Sequence, residues 1–392
     1  MKIAFFCIPA YGHTNPTLEV VKELIRRGNE VRYYSYDLMK EIIESTGAEY
    51  ISCDKYDIQM NLESEDAERI STDIAFSTKL LVNMTLAMDD TLISEMKHWK
   101  PDCIVSDSMA MWGKLVALKL RVPFMSSTTT FAFNRYSAKI MKQNASQLFK
   151  MLFAIPKANR QVKRLNAKGY PVKNVLSIVQ NDNDINTIVY TSAEFQPCSE
   201  TFSDKYTFVG PSIRKTDSRI EKSERKIVYI SLGTVLNTRP DFYRSCISAF
   251  AQSDLDVIIS IGQETSVEAL GEIPDNFTVK NSVDQIAVLQ KADVFITHCG
   301  MNSVNEALYY AVPLVLFPQT TEQGGVAYRV NELGAGVYLK DDSSESIKSK
   351  VKEVLENHSY KMGAEKISEG FHRCGGSKLA ADKIEALCNE SN

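Results

Sequence analysis

The chain has 392 residues, of which 44% are apolar and 24% charged, with a formal net charge of -4. A length of this order exceeds what one core ordinarily organises and points to two domains, while the near balance of charge leaves no broad basic field for nucleic acid. No apolar stretch approaches the ~20 residues of a membrane span, and the eight cysteines, scattered without a C-x-x-C pair, are expected as reduced, cytoplasmic thiols.

The apolar run after Lys2 has no small-residue cleavage site and reads as a first buried strand, 3–8, rather than a secretory leader. A helix is expected over 14–27, with Thr14 or Asn15 near its cap, Pro16 in its first turn and Gly28 as its stop, followed by a strand over 30–36. The alternation continues less cleanly through 42–51, 92–98, 103–106 and 113–120, and strands alternating with helices imply a parallel, doubly wound sheet. From 124 to 178 the pattern reads as one long helical region, with no strand until 187–190. A strand ending in a turn at 207–211 leads to residues 214–226, which are charged, nearly free of apolar side chains, and read as a linker.

A second alternating unit begins at 227–230, followed by Ser231-Leu232-Gly233-Thr234 and a helix over 241–252. Strands are expected at 256–261, 277–280, 294–297 and 314–317, and helices at 345–356 and 376–388. The expected organisation is a first domain over 1–213, the linker, a second domain over 227–370, and a terminal segment 371–392.

Residues 295–323 are the most informative. They read as strand, polar loop, helix, buried strand and second polar loop, which places two loops at the ligand-binding edge of a parallel sheet. The first loop, His298-Cys299-Gly300-Met301-Asn302-Ser303, opens a helix and offers backbone N–H groups to phosphate. The second carries Thr320, Thr321, Glu322 and Gln323, able to bind hydroxyls, and the two together suggest a nucleotide sugar.

This segment resembles the donor-binding signature of the family-one UDP-dependent glycosyltransferases. His298, Gly300, Asn302, Ser303, Glu306, Glu322 and Gln323 fall on that signature, with about eight positions agreeing over roughly thirty residues. The bacterial members that glucosylate macrolides and other natural products are the most similar, because their first loop also reads Gly-His-x-Asn-Pro, here Gly12-His13-Thr14-Asn15-Pro16. The resemblance implies an α/β fold of GT-B type, with two doubly wound, Rossmann-like parallel-sheet domains facing a cleft. It also implies a last helix that crosses back onto the first domain.

A glycosyl transfer without metal needs a base, stabilisation of the departing diphosphate, and recognition of sugar and nucleoside. The base candidate is His13, since a free imidazole has a pKa of about 6.5, suited to proton abstraction near neutral pH. From spacing alone a helix-capping or turn role stands equally open, and the resemblance favours catalysis. Asp107, after the strand at 103–106, would fix the His13 tautomer, and the same aspartate can serve as a helix N-cap. Ser231, Gly233 and Thr234 resemble the family's Ser-x-Gly-Ser/Thr loop and, with His298 and the turn 300–303, would hold the diphosphate. By resemblance Glu306 binds a ribose hydroxyl and Glu322 with Gln323 bind the sugar, although a first-turn Glu needs no ligand to justify it. Val283 and Gln285 match the family's nucleobase run, whereas Ser282 stands where an aromatic or apolar residue is usual and Asp284 where proline is, so TDP stays open beside UDP.

The expected activity is inverting, metal-independent transfer of a hexose, glucose by resemblance, from a UDP-sugar to a hydroxyl of an apolar small molecule such as a flavonoid or macrolide. No cofactor is expected beyond the donor substrate. Five histidines, none paired at i, i+4, and the runs Asp182-Asn183-Asp184 and Asp254-Leu255-Asp256, neither following a strand, give no metal site. Loops within 61–90 and 124–173, with Phe76, Met84, Met88, Phe131, Phe133 and Met141, are candidates for the acceptor side, and these side chains equally for core. A glycolipid or cell-wall precursor transferase is the alternative, kept open by Lys139, Lys142, Lys150, Lys157, Arg160, Lys163 and Arg164. Peripheral membrane contact is not favoured over an amphipathic cleft wall. A nucleotide-sugar 2-epimerase would not need His13 in its loop, and a dinucleotide-binding module would carry G-x-G-x-x-G after the first strand. A cytoplasmic monomer or weak dimer is expected.

Overall fold

A computed structural model describes residues 1–56, 73–134, 136–137, 145–179, 183–221 and 224–390, with backbone alone over 145–153. The candidate positions Lys139, Met141, Lys142 and Asp182, residues 61–72, and the Lys150 side chain lie outside what is described.

In chain order the elements run β1 (Lys2–Phe6), α1 (Tyr11–Arg26), β2 (Glu30–Ser35), α2 (Lys40–Glu44), β3 (Glu49–Ser52), α3 (Ile74–Trp99), β4 (Cys103–Asp107), α4 (Met111–Leu120), β5 (Phe124–Thr128), α5 (Ala145–Ala167), α6 (Val175–Val179), β6 (Thr187–Val189) and β7 (Tyr206–Phe208). They continue with β8 (Lys226–Ser231), α7 (Pro240–Phe250), β9 (Leu255–Ser260), β10 (Phe277–Lys280), α8 (Gln285–Leu289), β11 (Val294–Thr297), α9 (Met301–Tyr309), β12 (Leu314–Leu316), α10 (Thr321–Glu332), β13 (Gly336–Tyr338), α11 (Ser344–Glu356), α12 (His358–Arg373) and α13 (Gly376–Asn389). The chain folds into two units, one of Met1–Tyr190, Cys198–Ser212 and Gly375–Asn392, the other of Thr191–Pro197 and Ile213–Cys374.

The first unit is built on a seven-stranded parallel sheet of order β3-β2-β1-β4-β5-β6-β7. Successive residues of β1 face opposite sides, Ala4 and Phe6 into one core and Ile3 and Phe5 into the other. Both faces are covered, so these strands read as unbroken apolar runs. The second unit has a six-stranded parallel sheet of order β10-β9-β8-β11-β12-β13, with Val228, Ile230, Val257, Ile259, Val294 and Ile296 on one buried face. Two doubly wound parallel-sheet units are what the sequence pattern predicts.

Several local expectations are corrected. Helix α1 begins at Tyr11 rather than 14, with Ala10 as an N-cap that makes no side-chain bond, so neither Thr14 nor Asn15 caps it and His13 lies in its first turn. The region 124–178 is not wholly helical, since Phe124–Thr128 forms β5 between β4 and β6. Residues 74–90 are not loop but the start of the 26-residue α3, initiated by Asp73, whose carboxylate accepts from the N–H groups of Ala75 at 2.9 Å and Phe76 at 3.1 Å. Met84, Met88 and Phe131 are core residues, whereas Phe133 is 43% exposed.

The terminal helix α13 belongs to the first unit. Ala380, Ala381, Ile384 and Leu387 pack with Val20, Val21 and Leu24 of α1. The Arg27 guanidinium, 20% exposed, donates to Glu23 at 2.8 Å, Asp382 at 2.6 Å and Glu385 at 2.8 Å. Cys103 of β4 and Cys388 of α13 form a disulfide with Cα atoms 5.2 Å apart, which corrects the expectation of eight thiols; six cysteines remain free. A sequence separation of 285 residues hides this neighbourhood from any spacing pattern. The segment Thr191–Pro197 is held in the second unit, where Arg329 donates to the carbonyls of Glu194 at 2.7 Å and Phe195 at 3.0 Å, and Thr191 donates to Asn305 at 3.2 Å.

Replacing Arg27 with alanine leaves Glu23, Asp382 and Glu385 without their shared cation. Hydrogen bonds to charged groups contribute about 1.5–3 kcal/mol each before non-additivity. Arg27→Ala is expected to lower the melting temperature and to speed amide exchange across α13 more than across β8 to β13. Equal acceleration in both units would place the effect elsewhere.

Candidate functional site

In a doubly wound sheet the crevice opens where neighbouring strands send their connections to opposite faces. In the first unit that point lies between β1 and β4, and His13 follows β1 while Asp107 ends β4. Asp107 is 1% exposed and His13 18% exposed, with His13 Nδ1 at 2.8 Å from Asp107 Oδ1. The other oxygen of Asp107 accepts from the N–H of Met109 at 3.1 Å. An ionised carboxylate only accepts, so Nδ1 carries the proton and Nε2 presents its lone pair, which is the tautomer a general base requires.

A third group completes this arrangement and was not anticipated. The Thr129 hydroxyl, in the residue directly after β5, lies 3.1 Å from His13 Nδ1. Three adjacent strands thus meet at one nitrogen: β1 leads to the His13 imidazole, and β4 and β5 bring Asp107 and Thr129 to its Nδ1. Reading 124–178 as helix concealed Thr129; a strand ending in Ser126-Ser127-Thr128 would have exposed it. Tyr11, Met109, Phe133 and Tyr136, all in connections leaving this edge, are 38%, 47%, 43% and 41% exposed and supply apolar surface. Gly113 packs on β4, where a Cβ would stand 2.3 Å from Ser106 Oγ, so the glycine after Asp107 lets α4 approach the strand.

In the second unit the corresponding point lies between β8 and β11. Ser231 and Thr297 are register partners, so the two loops leave the sheet at the same level. Gly233 has φ 78°, and a Cβ there would stand 2.6 Å from the His298 ring; a Cβ at Gly300 would stand 2.5 Å from its Nε2. The two glycines therefore form a slot for the His298 imidazole. Burial lowers its pKa to about 4, against a contact with the Ser231 backbone that favours the charged form, and its Nδ1 has no hydrogen-bond partner. Between them Cys299 holds φ 67°, a conformation costly for a residue with a Cβ. No side chain caps α9 at Gly300, which leaves its first N–H groups and the positive end of its dipole for an anion. Ser231 Oγ accepts from Gly233 N–H at 3.2 Å, and Thr234 is exposed.

The remaining candidates divide between ligand-facing and internal work. Glu306, 8% exposed, accepts from Gln285 Nε2 at 2.6 Å and Asn302 Nδ2 at 2.9 Å. Burial raises its carboxyl above the ordinary value, and these two bonds oppose that. Gln285 also accepts from the Tyr229 hydroxyl at 3.0 Å, and its amide lies 3.3 Å from Ser303 Oγ. Gln323 forms a capping box at the start of α10: its Oε1 accepts from the N–H groups of Gln319 at 2.8 Å and Thr320 at 3.2 Å. Its amide N–H₂ is the part left for a ligand, and Glu322 beside it is exposed. Val283 is half-buried and Ser282 exposed, while Asp284 caps α8 and pairs with Arg214 and Thr216. Among the described residues no group of three or more His, Cys, Asp or Glu is placed to hold a metal. No described helix is long and apolar enough to cross a membrane.

Residues 244–375 match the family model for the erythromycin biosynthesis protein CIII-like C-terminal domain. The chain is 34% identical over 397 residues to the NDP-glycosyltransferase YjiC of Bacillus subtilis, covering 99% of this chain and 98% of that one. This chain belongs to the family-one glycosyltransferases. It is similar as well to the uncharacterised UDP-glucosyltransferase YdhE of the same organism, at 32% identity with 98% of each chain covered. The solved structure of the kitacinnamycin glycosyltransferase superposes with a TM-score of 0.84 at 25% identity, covering 98% of each chain.

Two outcomes follow for this glycosyltransferase. The Thr129 oxygen can only share the Nδ1–H that Asp107 already accepts, so Thr129→Val removes at most about 1 kcal/mol and kcat is expected to fall by no more than about five-fold, with Thr129→Ser retaining the parental rate; equal losses in both variants would point to packing. His298 stays neutral when folded down to about pH 4 but protonates near 6.5 when unfolded. The unfolded chain thus binds the extra proton between those values, and unfolding free energy should drop by about 3 kcal/mol as pH falls through that window. Denaturant titrations should show a shallower decline in His298→Gln, and an unchanged slope would assign the loss to other groups.

Proposed function

We propose that the enzyme transfers a hexose from a UDP-sugar to a hydroxyl of an apolar natural product, with inversion and without a metal ion. The observation that carries this reading is the tie from His13 Nδ1 to the buried Asp107 carboxylate at 2.8 Å, which leaves Nε2 as the basic atom. His13 Nε2 takes the acceptor hydroxyl proton while that oxygen forms a bond to the anomeric carbon. On the opposite face the bond from that carbon to the diphosphate oxygen breaks, so the configuration inverts. The proton ends on His13, and Asp107 stabilises the imidazolium.

The leaving diphosphate gathers negative charge that the uncapped N-terminus of α9, the hydroxyls of Ser231, Thr234 and Ser303, and the His298 imidazole are suited to receive. A neutral His298 contributes a dipole and one N–H rather than a charge. Glu322 and the Gln323 amide serve sugar hydroxyls. Glu306 accepts from Gln285 and Asn302 with one bond per oxygen, which orients it and leaves a lone pair on each for a ribose hydroxyl, and the base edge falls to the backbone of 283–285. Similarity to YdhE, described as a UDP-glucosyltransferase, supports UDP-glucose as donor, similarity to YjiC and the kitacinnamycin enzyme supports the reaction class, and the exposed Tyr11, Met109 and Phe133 support an apolar acceptor such as a flavonoid or macrolide.

Purified protein offered UDP- and TDP-hexoses with phenolic and macrolide acceptors, and followed by mass spectrometry, is expected to form product with UDP-glucose at an undiminished rate in EDTA. His13→Ala should lose about 10²–10⁴-fold in kcat with donor affinity unchanged. Activity abolished by EDTA, or a fully active His13→Ala, would overturn the proposal.

A further inference from the structure

Between Asp107 and Asp182 the sequence carries thirteen lysines and arginines and no aspartate or glutamate, in a chain whose net charge is -4. Within that stretch α5 turns Ala158, Val162 and Leu165 into the core of the first unit, a spacing of four and three residues that defines one helix face. Lys157, Arg160, Lys163 and Arg164 lie on the other side and are exposed, and Lys168 and Lys173 just beyond the helix are exposed as well. The ion pairs of this part of the unit run elsewhere, Lys55 to Glu95 and Lys119 to Asp89, and none among the described residues reaches these six. Arg164 bonds only neutral groups, Asn83 at 2.8 Å and Gln161 at 2.9 Å. Like charges at this spacing repel one another along a helix, so the ridge costs stability until an anionic surface meets it.

We propose that this ridge docks the protein on an anionic phospholipid bilayer. The ridge lies along one helix whose opposite face is held in the core, so its cations are presented together on one side to a surface. The overall negative charge opposes a polyanion that would sample the whole protein, whereas a bilayer meets one face and the remaining charge is screened beyond ~8 Å at physiological salt. With no described helix able to span a membrane, the contact is peripheral.

This inference goes beyond the transfer reaction and is tested apart from it. Full-length protein is sedimented with vesicles of phosphatidylcholine alone and of phosphatidylcholine with phosphatidylglycerol in equal parts. Binding is expected only to the second, with release near ~1 M salt, where the Debye length shrinks to ~3 Å. Each cation near such a surface strengthens binding roughly five-fold. The combined variant Lys157→Gln, Arg160→Gln, Lys163→Gln, Lys168→Gln should therefore bind weaker by on the order of a hundredfold or more, with solution transfer activity and circular dichroism unchanged. Absence of wild-type binding, equal binding to both vesicle types, or undiminished binding by the variant would overturn the proposal. Ridge-dependent binding of duplex DNA stronger than that of the vesicles would overturn it in favour of nucleic acid. Should the variant fail to fold, the salt titration of the wild type decides.

Discussion

A parallel sheet whose order reverses at one strand pair has a single place where the helical connections diverge, and there the carboxyl ends of two strands stand open. Each unit of this glycosyltransferase contains one such place, β1 beside β4 and β8 beside β11. His13 with Asp107, and Ser231 with His298, sit at these places, and Thr129 and Gln323 follow the next strand along, β5 and β12. Asp107 terminates one strand and His13 rides the first turn of the helix leaving the other, so their approach is a product of strand register, Phe6 opposite Ser106. The same geometry sets Ser231 level with Thr297 and brings Gly233 under the His298 ring.

What differs between the two places is how polar groups are satisfied. In the first unit the buried Asp107 carboxylate is fully engaged, by an imidazole and by the Met109 N–H, so the cost of burying its charge is offset within the site. In the second unit the balance is left incomplete. His298 Nδ1 is buried without a partner, Cys299 adopts a conformation that favours glycine, and α9 starts without a side-chain cap. Three such deficits in consecutive residues, beside a Glu306–Gln285–Tyr229 network in which each member is bonded, mark the stretch 298–300 as the part of the unit built to be completed by something else.

The legible part of this fold was the part governed by periodicity. Strands such as β1, β8 and β11 are buried on both faces, so unbroken runs of Val, Ile and Phe announce them. Strand β5 is no less central, but Phe124-Met125-Ser126-Ser127-Thr128 pairs with β4 through half-polar residues and precedes a basic helical stretch, so composition pulled the reading towards helix. The long α3 was hidden for a different reason: its buried face includes the polar Thr78, Thr85 and Asp89, and the apolar Leu80 and Leu86 are only partly buried, which flattens the amphipathic signal a helix reading relies on. Motif matching located His13 and Asp107 but could not supply Thr129, because the third group comes from a strand the pattern did not reveal. Nor could it show that Gln323 Oε1 and the Glu306 carboxylate also accept bonds from the protein, since a motif records residue types and not their bonds.

Asp284 illustrates how a departure from a family pattern is absorbed. A proline in that position would fix the backbone at the start of α8 through its ring. Aspartate instead accepts from the Ala287 N–H at 3.3 Å and is gripped from the preceding segment by Arg214 and Thr216. Burial works against its charge, but the Arg214 guanidinium and the Thr216 hydroxyl outweigh it and hold the carboxyl down to about 2. The group is therefore ionised throughout the physiological range, and the cap is permanent. Ring stiffness has been exchanged for a charged clamp that adds what proline cannot, a direct bond between the entry to the second unit and the loop that holds Val283 and Gln285. The loop keeps its shape by different chemistry, which is why two mismatched residues in the motif leave the network from Gln285 to Glu306 intact.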